Sequence, residues 1–198
     1  MKLILASGSP RRAEVLRDAG IMFEAVAANV DESPRQNESP EAVVLRLAEA
    51  KARAAVARLD AATGAALVIG ADTAVVLEGP GEIQILGKPS SADHARAMLR
   101  RLSGRTHRVI TGLAVIRVPD GAIRSEVETT RVTFAPLSDA DIAAYLASGE
   151  PFDKAGAYAI QGRGGRYITR VEGCYFNVVG LPLARLYHIL RELGWSSG

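Results

Sequence analysis

The stretch LILASGSPRR, residues 3–12, decides how the chain begins to fold. Its three leading apolar residues predict a strand, and a turn containing glycine follows. Ser9 and Pro10 are typical of the N-cap and the first position of a helix, and Leu16 continues that helix at helical spacing. Gly20 is a typical stop signal. The stretch therefore predicts a strand, a tight turn and a helix.

The first turn of this predicted helix carries two cations, Arg11 and Arg12. A helix N-terminus has a partial positive charge and favours Asp or Glu there. The segment Ser39-Pro40-Glu41 opens another predicted helix with an acid at that place. The contrast favours an anion docked at the first helix, held by backbone N–H groups, serine hydroxyls and two guanidinium groups. Two solvated surface arginines are the alternative, and the residues alone leave both open.

The composition is typical of a soluble globular protein and argues against a disordered chain. Of 198 residues, 48% are apolar and 23% are charged. The net charge of +2 is too small to indicate nucleic-acid or membrane binding through bulk charge. A single cysteine, Cys174, excludes an internal disulfide and a cysteine-based metal cluster. No apolar run is long enough for a signal peptide or a membrane span, so we expect a cytoplasmic protein forming one domain over residues 1–198.

Predicted strands and helices alternate along the chain, and hairpins in the middle make the predicted sheet mixed rather than purely parallel. The polar segment 28–39 is predicted as a loop, and 149–165 as a glycine-rich loop. The predicted helices cover about 40–59, 92–102, 138–146 and 182–193, and the predicted strands 23–26, 66–69, 75–77, 83–86, 108–118, 122–134 and 166–171.

Two details of these helices can be tested. The helix from residue 40 should bury the stripe Leu45, Ala48, Ala52 and Val56, with Lys51 at its flank. Ser138, followed three residues later by Asp141, resembles a capping box.

Asp72 directly follows the apolar strand 66–69, at the place where open α/β sheets bind their ligands. A carboxylate there can bind a divalent metal or accept a proton from water. A turn-forming Asp is the alternative. Lys51 and Lys88 could neutralise phosphate oxygens, and the acids of the 28–39 loop could add carboxylates. Together these residues suit a metal-bound polyphosphate, although each alone is compatible with a solvated surface.

Common alternative motifs are absent from the sequence. There is no Gly-x-x-x-x-Gly-Lys-Ser/Thr phosphate loop, no Gly-x-Gly-x-x-Gly fingerprint and no Gly-x-Ser-x-Gly elbow. His94, His107 and His188 lack zinc-site spacing. We expect His94 on a helix surface and His107 at the start of a strand.

Seven short blocks resemble the Maf family of nucleoside triphosphate pyrophosphatases. They occur in the family's order from Leu3 to about Leu190, and the ordered set is far more specific than any member. The blocks are LASGSPRR (5–12), GADT (70–73), GKP (87–89), LSG (102–104) with His107, DKAGAY (153–158), IQG (160–162) and VVGLPL (178–183).

The resemblance implies an elongated α/β fold similar to the inosine-triphosphate pyrophosphatases, with a mixed sheet flanked by helices and two lobes around a central cleft. It also implies hydrolysis of a nucleoside triphosphate to the monophosphate and pyrophosphate. The implied cofactor is a divalent cation, Mg²⁺, with Mn²⁺ or Co²⁺ as alternatives. A homodimer is also implied. The small net charge and the lack of a long apolar run predict no nucleic-acid or membrane partner.

The resemblance also assigns site residues. Asp72 matches the family's proposed proton acceptor, and Glu32 and Asp72 are the implied metal ligands. The positions implied to bind substrate are Ser7, Arg11, Arg12, Lys51, Lys88, Thr73 and Gln161.

The combination Arg11, Thr73 and Gln161 is that of the branch acting on dTTP and UTP, whereas the branch acting on 7-methyl-GTP has other residues there. A glutamine amide offers a donor and an acceptor, as does the imide edge of uracil or thymine. Ala74 and Cys174 depart from the family's usual residues without touching these positions.

Two other classes of function are compatible with parts of the sequence. The family name comes from an effect on septum formation, so a nucleotide-sensing, non-enzymatic regulator of cell division is the main alternative. The segment QGRGGR, residues 161–166, suggests nucleic-acid binding as a further alternative. A single Gly/Arg turn without aromatic residues for base stacking argues against it.

Overall fold

The computed structural model describes residues 1–33, 35–60, 63–79 and 82–196. Its strands are β1 (Lys2–Leu5), β2 (Glu24–Ala25), β3 (Ala66–Gly79), β4 (Glu82–Leu86), β5 (Thr106–Val118), β6 (Ile123–Phe134) and β7 (Ile168–Glu172). Its α-helices are α1 (Pro10–Asp18), α2 (Pro40–Val56), α3 (Ala92–Leu102), α4 (Asp139–Ala147), α5 (Tyr175–Val179) and α6 (Leu183–Glu192).

The strands form one seven-stranded mixed sheet, as the sequence predicts. Its order is β2-β1-β3-β5-β6-β7, and β4 pairs with β3 off this path. β1 runs parallel to both neighbours, with Ile4 opposite Glu24 on one side and Val68 on the other. The β3–β4 and β6–β7 pairs are antiparallel. Parallel and antiparallel pairing therefore coexist, and the α/β class is confirmed.

Most predicted elements are present, with differences at their ends. The strands predicted at 66–69 and 75–77 are one continuous strand, β3, so Asp72 lies within a strand rather than after its end or in a turn. α3 matches its predicted range, and the capping box at Ser138 and Asp141 opens α4. α2 is shorter than predicted and ends at Val56, and the strand predicted at 23–26 has two residues. β5 begins at Thr106, before the predicted position.

The segment predicted as the loop 149–165 is more ordered than expected. It contains 3₁₀ turns at Glu150–Asp153 and Ala155–Ala157 and the start of a third at Arg163–Tyr167. The third turn delays β7, which begins at Ile168 rather than at 166. β3 and β4 pair as the predicted hairpin, but Pro80 and Gly81 of its turn lie outside the described residues, as does Pro34 of the 28–39 loop.

The chain divides into two compact units. The first contains Met1–Asp72, Thr111–Glu128 and Gly180–Gly198, and the second contains Thr73–Ile110 and Thr129–Val179. The long strands β3, β5 and β6 contribute residues to both. Asp72 is the last residue of its segment in the first unit, and Thr73 begins the second.

In the first unit, α2 packs with its backbone directly against the sheet. A Cβ atom added to Gly70 of β3 would lie 2.1 Å from the carbonyl oxygen of Ala48. A Cβ added to Gly112 of β5 would lie 2.4 Å from the carbonyl oxygen of Val44. Both distances are far below van der Waals contact, so only glycine allows this approach.

This contact corrects the predicted stripe of α2. Ala48 and Ala52 are buried as predicted, but Leu45 and Val56 are only half-buried. The buried face instead contains Val44, Leu47, Ala48, Lys51, Ala52 and Ala55. The two glycines select the face that lies on the sheet, and that face includes Lys51, which is therefore buried rather than at the flank.

We expect Gly70→Ala and Gly112→Ala each to lower the free energy of unfolding by about 3 kcal/mol, because a methyl group would push α2 off the strands. Chemical denaturation measures this loss. Gly87→Ala is the matched control, since a Cβ there meets nothing within 4 Å. Equal stability of all three variants would contradict the close packing.

The second unit has an aromatic core around His107. This histidine is at the start of β5, as predicted, but it is 2% exposed. Its Nε2 lies 2.8 Å from the hydroxyl of Tyr158, and its ring contacts the rings of Phe134 and Tyr158. Burial lowers the pKa of His107 to about 4. His94, by contrast, is exposed on α3, as predicted.

The buried His107 predicts a loss of stability in acid. Its pKa is about 4 when folded and 6.5 when unfolded, so the unfolded chain binds the proton more readily between these values. We expect the free energy of unfolding to fall by about 3 kcal/mol from this residue between about pH 7.5 and pH 4. His107→Gln, which keeps a polar partner for Tyr158, should remove this part of the pH dependence. His188→Gln on the exposed face of α6 should not, and identical profiles for His107→Gln and the wild type would contradict the assignment.

Candidate active site

The side chain of Arg12 is held at two points, one in the turn between β1 and α1 and one at Gly180. Ser7 is buried, and its hydroxyl accepts hydrogen bonds from the backbone N–H of Ser9 and from Nη1 of Arg12, both at 3.2 Å. Nε of Arg12 donates to the carbonyl oxygen of Gly180 at 2.8 Å. The guanidinium is thereby fixed at the start of α1.

The start of α1 differs from the starts of the three helices that follow it. The side chains of Ser39, Ser91 and Ser138 each accept a backbone N–H in the first turn of their own helices. Ser9 is the N-cap of α1, as predicted, but within the described residues its side chain makes no such bond and the first turn has no acid. The positive end of α1 thus lacks the usual compensation and suits an anion.

Lys51 joins two carboxylates. Its Nζ lies 2.7 Å from Oδ1 of Asp72 and 2.7 Å from Oε1 of Glu32. The side chains of Lys51 and Asp72 are 11% and 15% exposed, whereas that of Glu32 is 61% exposed. A mostly buried ion pair therefore has an exposed carboxylate at its open side.

Arg12 belongs to the same electrostatic cluster. Burial lowers the pKa of its guanidinium, the charge of Asp72 opposes this shift, Arg11 adds to it and Glu32 opposes it. Arg12 stays charged at neutral pH because an arginine pKa lies far above 7. The first unit therefore gathers three cations, Arg11, Arg12 and Lys51, with two carboxylates.

These carboxylates fit one kind of metal site. Among the described residues, no group of three or more His, Cys, Asp or Glu side chains is placed to hold a metal ion. Glu32 and Asp72 still supply two oxygen donors around a single ammonium group. Mg²⁺ is often held by one or two carboxylates together with substrate phosphate oxygens. The donor set fits a cation that binds with a polyphosphate rather than in an all-protein cage.

The other three predicted site residues belong to the second unit. Thr73 is half-buried in β3, and Lys88 is exposed after the end of β4. The residue before Lys88, Gly87, accepts a hydrogen bond from the N–H of Gly156 at 3.1 Å. Gln161 is exposed in the loop before the third 3₁₀ turn. Their roles stay predictions.

A set of contacts beside Gln161 was missed by the sequence reasoning. The carboxylate of Glu150 accepts three hydrogen bonds. The hydroxyl of Tyr145 donates at 2.6 Å, and the backbone N–H groups of Arg163 and Gly164 donate at 2.8 and 3.1 Å. The glycines at 162, 164 and 165 are the signal that could have indicated such a close approach. The contact of Arg12 with Gly180 joins residues far apart in sequence, and no local signal predicts it.

The comparison with family models decides the family. A model described as Maf-like protein matches residues 2–193. The chain belongs to the Maf family.

Many relatives of this Maf chain are similar over nearly their whole length. A protein of Caldicellulosiruptor bescii named dTTP/UTP pyrophosphatase is 48% identical over 98% of this chain and 96% of its own. Proteins with that name from Geotalea uraniireducens and Escherichia coli O157:H7 are 51% and 48% identical, over 97% and 96% of this chain and 95% and 92% of their own.

A solved structure from Mycobacterium abscessus, titled a nucleoside-triphosphatase / dITP/XTP pyrophosphatase, covers 98% of both chains at 19% identity. Its TM-score to this chain is 0.40. Among the described residues of the Maf chain, no helix is long and apolar enough to cross a membrane.

Proposed function

We propose that this Maf protein hydrolyses dTTP and UTP to the nucleoside monophosphate and pyrophosphate. The observation that carries the proposal is the cluster of Asp72, Lys51 and Glu32 in the unit that also holds Arg12 at the start of α1. Anionic and cationic groups in one place suit a reaction on a phosphate chain. The relatives named dTTP/UTP pyrophosphatase support the choice of substrate.

The cations are proposed to bind the phosphates. Arg11 and Arg12 offer forked guanidinium groups, which match phosphate geometry, and the N–H groups of the first turn of α1 lie beside them. Ser7 keeps Arg12 in place through its hydroxyl. Lys51 and Lys88 add point charges that offset the charge of the departing pyrophosphate.

Glu32 and Asp72 would hold the divalent cation, for which we propose Mg²⁺, with Mn²⁺ or Co²⁺ as alternatives. When bound, such an ion supplies charge neutralisation on the phosphate oxygens. The proposal is supported by the two oxygen donors that share the ammonium of Lys51.

Asp72 is proposed to accept the proton from the attacking water. The water oxygen bonds to the α-phosphorus, the bond from this phosphorus to the bridging oxygen breaks, and pyrophosphate leaves. The proton passes to the Asp72 carboxylate, whose position is maintained by Lys51 at 2.7 Å. Such catalysis rests on positioning and electrostatics more than on covalent chemistry.

Arg11, Thr73 and Gln161 are proposed to select the pyrimidine nucleotide. The amide of Gln161 can accept from N3–H of uracil or thymine and donate to an adjacent carbonyl oxygen. We also propose that the protein is a homodimer in the cytoplasm and binds no nucleic acid. Light scattering in solution tests the dimer.

A nucleotide panel tests the function. We expect pyrophosphate release from dTTP and UTP with Mg²⁺, at least about tenfold slower release from CTP, GTP and 7-methyl-GTP, and none with chelator. If 7-methyl-GTP is hydrolysed fastest, the pyrophosphatase activity is supported. The proposed role of Arg11, Thr73 and Gln161 in selecting pyrimidines is then contradicted. A folded protein that binds nucleotides without turnover would instead support a non-enzymatic regulator of septum formation.

The role of Asp72 is tested by Asp72→Asn. We expect kcat to fall by at least about 10²-fold, because the amide cannot take the proton. The loss of stability should be modest, since the amide oxygen still accepts the hydrogen bond from Lys51 and Glu32 still pairs with its charge. Asp18→Asn, the same chemical change on the exposed end of α1, is the control and should keep full activity. An active, folded Asp72→Asn protein would contradict the assignment.

A further inference from the structure

Tyr145 and Glu150 form a hydrogen-bonded pair in the second unit, in which Tyr145 is buried and Glu150 is half-buried. Tyr145 is on α4 and is completely buried. Its hydroxyl donates to Oε1 of Glu150 at 2.6 Å and accepts the backbone N–H of Ala159 at 3.0 Å. One hydroxyl thus connects the helix, the carboxylate and the loop that leads to Gln161.

The Glu150 carboxylate holds the other side of the same loop. Oε2 accepts the N–H of Arg163 at 2.8 Å, and Oε1 accepts the N–H of Gly164 at 3.1 Å. Two side chains therefore anchor the backbone at three points, one before and two after Gln161.

The glycines show how closely the loop follows this pair. A Cβ added to Gly162 would lie 2.2 Å from Oε2 of Glu150, and one added to Gly164 would lie 2.5 Å from the hydroxyl oxygen of Tyr145. A side chain at position 162 would displace the Glu150 carboxylate, and one at position 164 would meet the Tyr145 hydroxyl and the Ala159 carbonyl oxygen. The backbone path of the loop is set by the Tyr145–Glu150 pair.

The ionisation states agree with these bonds. Burial raises the pKa of Tyr145, and the hydrogen bond to Glu150 raises it further, so the hydroxyl remains a donor at neutral pH. Burial alone would raise the pKa of Glu150, but the hydrogen bonds from Tyr145, Arg163 and Gly164 outweigh it and lower the pKa. The carboxylate is therefore an ionised acceptor.

We propose that Glu150 and Tyr145 are positioning residues that hold Gln161 where its amide discriminates uracil and thymine from cytosine. This inference rests on the proposed function. Gln161 is exposed, so the anchored backbone on either side is what sets its position. A glutamine amide can present its carbonyl or its NH₂ group, so a loosely held Gln161 would accommodate cytosine as well. Selectivity therefore depends on the anchors.

The test compares Glu150→Gln, Tyr145→Phe and Gln161→Ala by steady-state kinetics with dTTP, UTP and CTP. Glu150→Gln places an NH₂ group where the Arg163 N–H needs an acceptor, and Tyr145→Phe removes the acceptor of the Ala159 N–H. We expect each variant to raise KM for dTTP and to lower the dTTP-to-CTP ratio of kcat/KM by about tenfold. In Glu150→Gln and Tyr145→Phe, kcat for dTTP should stay within about twofold of the wild type, because Asp72 and Lys51 are unchanged.

A double-variant cycle separates positioning from general stability. If Glu150 acts through Gln161, adding Glu150→Gln to Gln161→Ala should lower the dTTP-to-CTP ratio no further, while the loss of melting temperature persists. Glu172→Gln, the same chemical change on the exposed strand β7, is the control and should leave selectivity unchanged. A lower melting temperature with unchanged selectivity in both Glu150→Gln and Tyr145→Phe would overturn the proposal.

Failure of the inference can be told apart from failure of the proposed function. Absence of pyrophosphate release by the wild type contradicts the function. Binding of the α,β-imido analogues of dUTP and dCTP, measured by calorimetry, then gives the same comparison without turnover. A preference for the dUTP analogue that is lost in Tyr145→Phe supports the positioning role, and an unchanged preference overturns it. Tyr145→Phe keeps the ring and the carboxylate, so it serves if Glu150→Gln does not fold.

Discussion

The contact between the backbone of α2 and Gly70 of β3 is the constraint on which the site of the first unit depends. Because Gly70 has no side chain, the carbonyl of Ala48 and the amide of Ala52 come against the strand. Lys51 lies between these two residues in sequence, and Asp72 follows Gly70 by two. The packing that seats the helix therefore also places the ammonium of Lys51 at 2.7 Å from the Asp72 carboxylate. The packing of α2 on β3 thus accounts for both the close backbone contact and the Lys51–Asp72 ion pair.

The charges of the first unit form a nearly balanced set that a phosphate would complete. Arg11, Arg12 and Lys51 exceed Glu32 and Asp72 by one positive charge, and burial makes an excess charge more costly than in water. A bound polyphosphate would supply the negative charge that these cations lack. Unlike the starts of α2 to α4, the start of α1 lacks both a serine side-chain cap and an acid among the described residues. Negative charge is therefore lacking both at the N-terminus of α1 and among the charged side chains of the first unit.

Local signals predicted much of the fold, and long-range contacts explain what they missed. Two features depend only on residues close together in sequence, and both are confirmed. They are the strand, turn and helix of residues 3–18 and the capping box at Ser138. The buried face of α2 depends on Gly70 and Gly112, on strands remote in sequence, so helical periodicity alone could not place Lys51. The Tyr145–Glu150 pair likewise needs a loop fourteen residues farther on. Most site residues lie in the ordered family blocks, whereas Glu32 and Lys51 lie outside them, and the roles of all of them stay predictions.

The most direct test of the proposed chemistry is hydrolysis of dTTP in water enriched in ¹⁸O, with the products analysed by mass spectrometry. Attack of water on the α-phosphorus requires the label in dTMP and unlabelled pyrophosphate. Label in pyrophosphate, or formation of dTDP and inorganic phosphate, would contradict the account.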